Sequence, residues 1–484
     1  MVFTKKYIAI LLVMVMVLSL NGCSTKKEQT NGGSNGANVT ELPKEDEKNT
    51  SNTETETNTE KTKIVVWSKN RHDADLINKK VEEYNASNTD NIVVEYQIYT
   101  ENYEQAIDMA FQSGEAPDII AHTPPAFLKY LNSGKWADLS QFMDDDFKKT
   151  FSSVIVPGMN EFDGKVYFIP TSGTTGRLFY NKNIFEKAGI TNPPTTLEEM
   201  VEDARLITEK LSGEGIYGFA APLKSPTSAF ARALSFQAHR GLGLSLGYDF
   251  STGQYDFAKY APIIKAWKEL MSADIAFPGC ESLDIDPLRT QFAAGKIGMY
   301  ISYTHAEPGV YANQFPMTDA WGVAQIPVSN GNVVGAQGYT PSGSYLLNAD
   351  SKNLDASWKA YKAIFADMDF LTDYYESGLG ISIVADVIEQ SQPAQVYIDN
   401  EALLIGSTDS IWPLTPQEKN SSNFIVEGTD MYTTFSALVL GDVDIEKGLQ
   451  DLSDRYNAAL KAGIKEGTIT EIKINGFDPK NPSK

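Results

Sequence analysis

The sequence predicts an α/β fold divided into two lobes. Three observations carry this expectation. Short β-branched runs alternate with amphipathic helical stretches, helix-end chemistry recurs along the chain, and 484 residues exceed the roughly 250–300 at which a single hydrophobic core stops growing. With 42% hydrophobic and 11% aromatic residues, the chain has the apolar material that two such cores need.

The alternation begins at Ile64-Val65-Val66-Trp67, a β-rich run. Asp73 then opens a stretch that sets Leu76, Ile77, Val81 and Tyr84 on one side of a helix, and residues 92–96 (IVVEY) return to strand character. A further helix carrying Tyr103, Ile107, Ala110 and Phe111 leads to the run 117–120, PDII. This βαβ spacing argues for a parallel sheet with helices on its faces. Downstream, Thr196 with Glu199 forms a capping box, Asp286-Pro287 provides an N-cap and a first-turn proline, and Gly295 closes that helix. Residues 297–301 read as a strand. The stripes Trp358, Tyr361, Phe365, Met368 and Ile445, Leu449, Leu452, Tyr456, Leu460 keep helical spacing and are read as core.

A formal net charge of −22 excludes nucleic acid as a partner, because a polyanion is repelled by phosphate backbones. A solvated acidic surface accounts for the charge. Of the two cysteines, Cys280 reads as a small buried hydrophobe.

The first sixty residues have a different character. Lys5 and Lys6 precede an apolar run from Ile8 to Leu18, a segment of signal-peptide length and short for a membrane span. The following Leu20-Asn21-Gly22-Cys23 resembles a bacterial lipobox, in which the cysteine thiol is acylated and becomes the new N-terminus; Asn21 departs from the usual small residue. Residues 1–22 are thus expected to be a lipoprotein signal peptide, with lipidation at Cys23. Residues 23–62 lose nearly all apolar side chains and are expected to form a disordered tether, with a mean reach of about 35 Å at roughly 5–6 Å × √n.

Five stretches together resemble the extracellular solute-binding proteins of the sugar-importer type, the maltose-binding-protein-like group. They are GEAPDI (114–119), DGKVYFIP (163–170), YNKNIFEKAGI (180–190), FAAGKIGMY (292–300) and WGVAQIP (321–327), and they occur in the family's order. The resemblance implies a two-lobed, periplasmic-binding-protein-like type II fold with hinge strands and a ligand cleft between lobes. It places lobe I at 63–175 and 325–370 and lobe II at 176–324 and 371–484, with crossings near Thr174–Arg177, Val323–Pro327 and Asp369–Tyr374. It further implies a substrate-binding lipoprotein of an ABC importer that captures a carbohydrate of oligosaccharide type and hands it to permease subunits. The protein would be a monomer on the extracellular face of the cell membrane, held there by its lipid anchor, with no catalysis, cofactor or metal.

Sugar capture needs aromatic faces for the ring and short polar side chains or Arg forks for the hydroxyls. The loop after the first strand offers Asn70, Arg71, His72 and Asp73, with helix capping as the other role open to Asp73. His122 sits at another strand exit, where α/β sheets tend to meet their ligands. Thr174 lies at the first crossing, where maltose-type members carry an acid, a departure that argues against maltose itself. Tyr303, His305, Tyr339 and Trp412 complete the candidate set, with core packing as the competing role of each aromatic.

Three other readings stay open: the same fold holding a peptide, polyamine or metal chelate, an anchored glycoside hydrolase, and a surface adhesin. Residues 243–247 (GLSLG) match the G-x-S-x-G nucleophile pattern, but a turn-like YDFSTG follows and His305 is the only histidine after Ser245. The acidic run Asp144-Asp145-Asp146 lacks calcium-loop spacing and reads as a helix start.

Overall fold

The computed structural model describes residues 61–99, 102–131 and 133–483. The expected signal peptide, Cys23 and nearly all of the expected tether lie outside these residues.

The first sheet has four strands. β1 (Thr62–Ser68), β2 (Ile92–Ile98) and β3 (Ile119–Ala121) are parallel, with β1 between the other two. The helix Ala74–Ser87 crosses from β1 to β2 and buries Ile77, Val81 and Tyr84, as its periodicity requires. The helix Tyr103–Ser113 returns to β3 and buries Tyr103, Ile107 and Ala110, whereas Phe111 is only partly covered.

The second sheet has seven strands built on one long strand, β4 (Ser172–Asn181). Around it lie β5 (Tyr217–Phe219), β6 (Ile297–Tyr303), β7 (Trp321–Ala324), β8 (Gln337–Ser342), β10 (Ile381–Ser382) and β11 (Asp409–Ser410). β4 has two halves: residues 176–181 pair with β6 and β7, while residues 172–175 pair with β8 and β10. Leaving β8, the chain turns at Gly343 (φ +63°) and enters β9 (Tyr345–Leu347), which pairs antiparallel with β3 in the first sheet. The β8–β9 segment therefore joins the two sheets.

One of the expected crossings falls elsewhere. Val323 lies in β7, bonded to Phe179 of β4, and the passage between sheets is made later, at Ser342–Tyr345. Residues 369–374 sit inside the helix Met368–Glu376, on the path from β9 of the first sheet to β10 of the second. Apolar periodicity identifies strands and helices but not which sheet a strand joins, which hydrogen-bond partners decide.

The helix ends repay their sequence signals. Thr196 and Glu199 form the capping box of Leu197–Leu211. Asp144 accepts from the Phe147 amide at 2.8 Å at the head of Asp145–Thr150. One cap differs: the helix Ile285–Ala293 is capped by Asp284, because Asp286 already lies inside its first turn. Ile445, Leu449, Leu452, Tyr456 and Leu460 are all buried on Ile445–Glu466. Met368 opens a new helix after Trp358, Tyr361 and Phe365 have been buried on Leu354–Phe365. Cys280 is free and buried, and burial pushes its thiol up to about 11.

One charged side chain is locked into the second sheet. Arg177 on β4 and Asp409 on β11 are 0% and 1% exposed, with Nη2 at 2.8 and 3.0 Å from the two carboxylate oxygens. Nε donates to the Ala402 carbonyl at 2.7 Å.

Candidate functional site

The C-terminal ends of β1 and β3 face the start of β4 and the end of β6, and a cavity of about 340 Å³ opens between them. Its lining includes Asn70, His72, Asp73, His122, Thr174, Tyr303 and His305, seven of the ten candidate residues drawn from the sequence. Tyr339 and Trp412 line a second cavity of about 450 Å³. His122, Pro124, Thr340 and Pro341 belong to both walls, so the two spaces adjoin. Arg71 lines neither; its Nη2 is 2.6 Å from Asp286 Oδ2 on the helix that packs beside β6.

Asp73 immediately precedes the helix Ala74–Ser87, yet its carboxylate makes no capping bond. Oδ2 instead accepts from the Tyr374 hydroxyl at 2.8 Å, and Oδ1 is buried with no hydrogen-bond partner among the described residues. An unpaired buried carboxylate oxygen is costly, and here it belongs to a residue of the cavity wall. His72 lies beside it, with Nε2 3.9 Å from Asp73 Oδ2.

Across the cavity, His305 Nδ1 is 2.8 Å from Thr174 Oγ1, and the His305 and His72 rings meet edge to face at 5.5 Å. Burial holds His305 well below the ordinary histidine range, and the neighbouring His72, Arg289, Lys69 and Arg232 act in the same direction. Burial, with a contribution from the Lys69 charge, pushes His122 down to about 3. Neutral imidazoles result, each with one donor and one acceptor nitrogen. A sugar hydroxyl is also donor and acceptor at once, so a neutral histidine can serve it in either sense.

Tyr303 is fixed from below. The Arg232 guanidinium lies 5.1 Å from its ring centre, and Arg232 itself donates to Ser302 Oγ at 3.0 Å and to the Ser228 carbonyl at 2.6 Å. Ser302 donates to Glu307, whose carboxylate is fully buried and held by Arg289 at 2.8 to 3.2 Å. These groups are rigid support for the wall.

Sequence reasoning missed Lys69, Ser344 and Tyr374, which also line the polar cavity. Lys69 sits one position before the loop that was singled out. Tyr374 is carried by a distant helix, and no local pattern links it to Asp73. The expectation that Ser245 lacks a histidine partner does not hold, because the neighbouring histidine precedes it in the chain. His239 precedes it on the helix Leu234–Leu242, and its Nε2 is 3.1 Å from Ser245 Oγ. Burial pushes that imidazole down to about 3, and its Nδ1 has no partner among the described residues.

No helix among the described residues is long and apolar enough to cross a membrane, and those residues contain no cluster of three or more metal-ligating side chains.

Two sheets joined by strands, with a polar cavity between them, define a protein built to enclose a small solute. The family model for bacterial extracellular solute-binding proteins matches residues 69–372, and the chain belongs to that family, whose fold is that of binding proteins. A Brucella abortus protein described as a binding protein is 28% identical over 239 residues, or 49% of this chain and 56% of the relative. The chain thus spans a little over half the length of the curated relatives it first matches. Among solved structures, an ABC substrate-binding protein of Listeria monocytogenes in complex with cycloalternan aligns with a TM-score of 0.65 and 17% identity, covering 83% of this chain and 99% of the other. An ABC transporter solute-binding protein of Thermotoga lettingae bound with α-D-tagatose gives 0.64 and 18%, covering 82% and 99%. At these identities the structural likeness establishes the two-lobed type II α/β fold.

Proposed function

We propose that the protein captures a carbohydrate outside the cell and passes it unchanged to the permease of an ABC importer. The observation that carries this reading is the polar cavity, where Asn70, His72 and Asp73 from one sheet oppose Thr174, Tyr303 and His305 from the other. Closure of two lobes about a guest works only if the closed form holds it more tightly than the open form. Groups contributed from both sides meet that condition. The ligands named for the Listeria and Thermotoga structures, both sugars, support the same class.

Capture rather than turnover is supported by the state of His239. An imidazole held near 3 is a poor base at neutral pH, and no acid orients its Nδ1 toward a role in a Ser-His-Asp arrangement. We place lobe I at 63–175 and 325–370 and lobe II at 176–324 and 371–484. Cys23 is taken as the acylated anchor of a monomer on the outer face of the membrane, with residues 23–62 as its tether.

Thermal-shift screening of the purified protein against mono- and oligosaccharides tests the reading. A sugar at about 100 times its Kd adds roughly 2.7 kcal/mol of stability, while reducing ends stay constant on prolonged incubation. A panel without any response, or release of new reducing ends, overturns it. Replacing Cys23 by Ser should release the protein from the membrane fraction into the medium.

A further inference from the structure

The second cavity is the larger of the two and differs in chemistry from its neighbour. Five prolines, Pro124, Pro157, Pro341, Pro413 and Pro482, contribute to its wall, and proline has no backbone N–H to donate. Between them stand apolar side chains including Leu128, Met159, Ile411 and Leu414.

Several of the polar groups that reach this wall are engaged elsewhere, while Tyr339, Thr340 and Lys419 also stand along it. His239 Nε2 is paired with Ser245, and its Nδ1 lies against the backbone of Gly338, where an added Cβ would come within 2.2 Å. The Glu418 carboxylate accepts from the Thr415 amide and hydroxyl at 2.8 and 2.9 Å, and Ser483 bonds Ser410 at 3.2 Å. Two of the aromatic rings are each covered on one face. Trp412 is stacked on His239 at 4.5 Å and 13°, and Phe168 on His122 at 4.2 Å. Sugar stacking needs an open ring face, and a sugar pressed against the proline, Leu128, Met159, Ile411 and Leu414 side of this wall would leave hydroxyls unpaired. An apolar group would bury its surface at no such penalty.

We propose that the solute is a two-part molecule: a sugar whose hydroxyls enter the polar cavity, carrying an alkyl or aryl aglycone that fills the proline-lined cavity next to it. The shared wall of His122, Pro124, Thr340 and Pro341 puts both parts within one ligand's reach. This inference rests on the carbohydrate reading above and narrows it to glycosides with an apolar substituent.

Calorimetric titration of the full chain with methyl, phenyl and n-octyl β-glycosides of glucose, galactose and xylose, below micelle-forming concentrations, tests the proposal. In the glycone series that binds, the phenyl or octyl compound should bind at least tenfold more tightly than the methyl compound. The double variant Met159→Ser/Ile411→Ser, altering two half-buried wall residues, should reduce that preference below threefold while leaving the methyl glycoside Kd unchanged. Equal affinity for all three aglycones overturns the proposal and leaves the carbohydrate reading standing. Equal binding of an n-octyl polyoxyethylene ether also overturns it, since the chain would then adhere without its sugar. If no glycoside binds and no oligosaccharide stabilises the protein, the carbohydrate reading itself falls.

Discussion

Replacing His239 by Gln should make the protein measurably less sensitive to acid. The imidazole is 9% exposed, flat against Trp412, and bonded through Nε2 to Ser245, while Nδ1 faces Gly338 with no acceptor. A proton added at Nδ1 finds no acceptor among the described residues, and burial pushes the group down to about 3. In the unfolded chain it titrates near 6.5. Between those values the unfolded state binds a proton that the folded state refuses, so stability is whole above 6.5 and declines as the pH drops. At pH 5 the difference of 1.5 units corresponds to about 2 kcal/mol, at 1.36 kcal/mol per unit.

Urea unfolding of wild type and His239→Gln at pH 7 and pH 5 reads this directly. The wild type should lose about 2 kcal/mol more than the variant over that interval. Other groups titrate in the same range: His122 and His305 act in the same direction, and Asp203, pushed up to about 6 by burial, acts in the opposite one. They are present in both proteins and cancel in the comparison. An equal pH response of the two proteins refutes the reasoning, whatever the variant's stability at pH 7.

Three further outcomes follow from particular contacts. Arg177→Met leaves the buried Asp409 carboxylate without its cation and should cost about 3–5 kcal/mol in equilibrium denaturation, most of which the double change Arg177→Met/Asp409→Leu should restore; a double variant no more stable than the single contradicts this. Asp73→Asn should weaken binding of the sugar found by screening by roughly 10- to 100-fold, since a hydrogen bond to a charged group is worth about 1.5–3 kcal/mol; calorimetry showing an unchanged Kd would remove Asp73 from the site. Gly218→Ala would put a Cβ 2.0 Å from the Ala204 carbonyl oxygen, and overpacking of this kind should lower stability by about 1–3 kcal/mol or more, seen as a lower urea midpoint with an unchanged slope.

What the sequence disclosed and what it withheld divide along a physical line. The helix Ala74–Ser87, the capping box at Thr196 and the buried stripe of Ile445–Glu466 are set by neighbours within a few residues, and their patterns are visible in the chain itself. The strand exit at His122 was legible for the same reason, while Asn70, His72, Asp73, Thr174, Tyr303 and His305 were named with the help of the resemblance to sugar-importer binding proteins, and the cavity wall includes all seven. Arg71 belongs to the same loop, but its direction is decided by Asp286, 215 positions away. The Tyr374–Asp73 bond spans 301 positions and the Arg177–Asp409 pair 232, and such partners have no signature in local spacing.

The same line explains why the two cavities differ in what the sequence could say about them. The polar cavity is made at strand ends, where the fold forces loops together and where short polar residues stand out against apolar strands. The apolar cavity draws on Pro124, Pro157, Pro341, Pro413 and Pro482, each of which reads locally as a turn or a helix start. Only their convergence gives them a common meaning, a stretch of wall with few backbone donors. Specificity in a cleft of this kind then comes from both sides: hydroxyl partners favour a sugar at one end, and the scarcity of partners along the proline-rich wall disfavours one at the other. A solute satisfying both has to be polar at one end and apolar at the other, a constraint that neither cavity imposes alone.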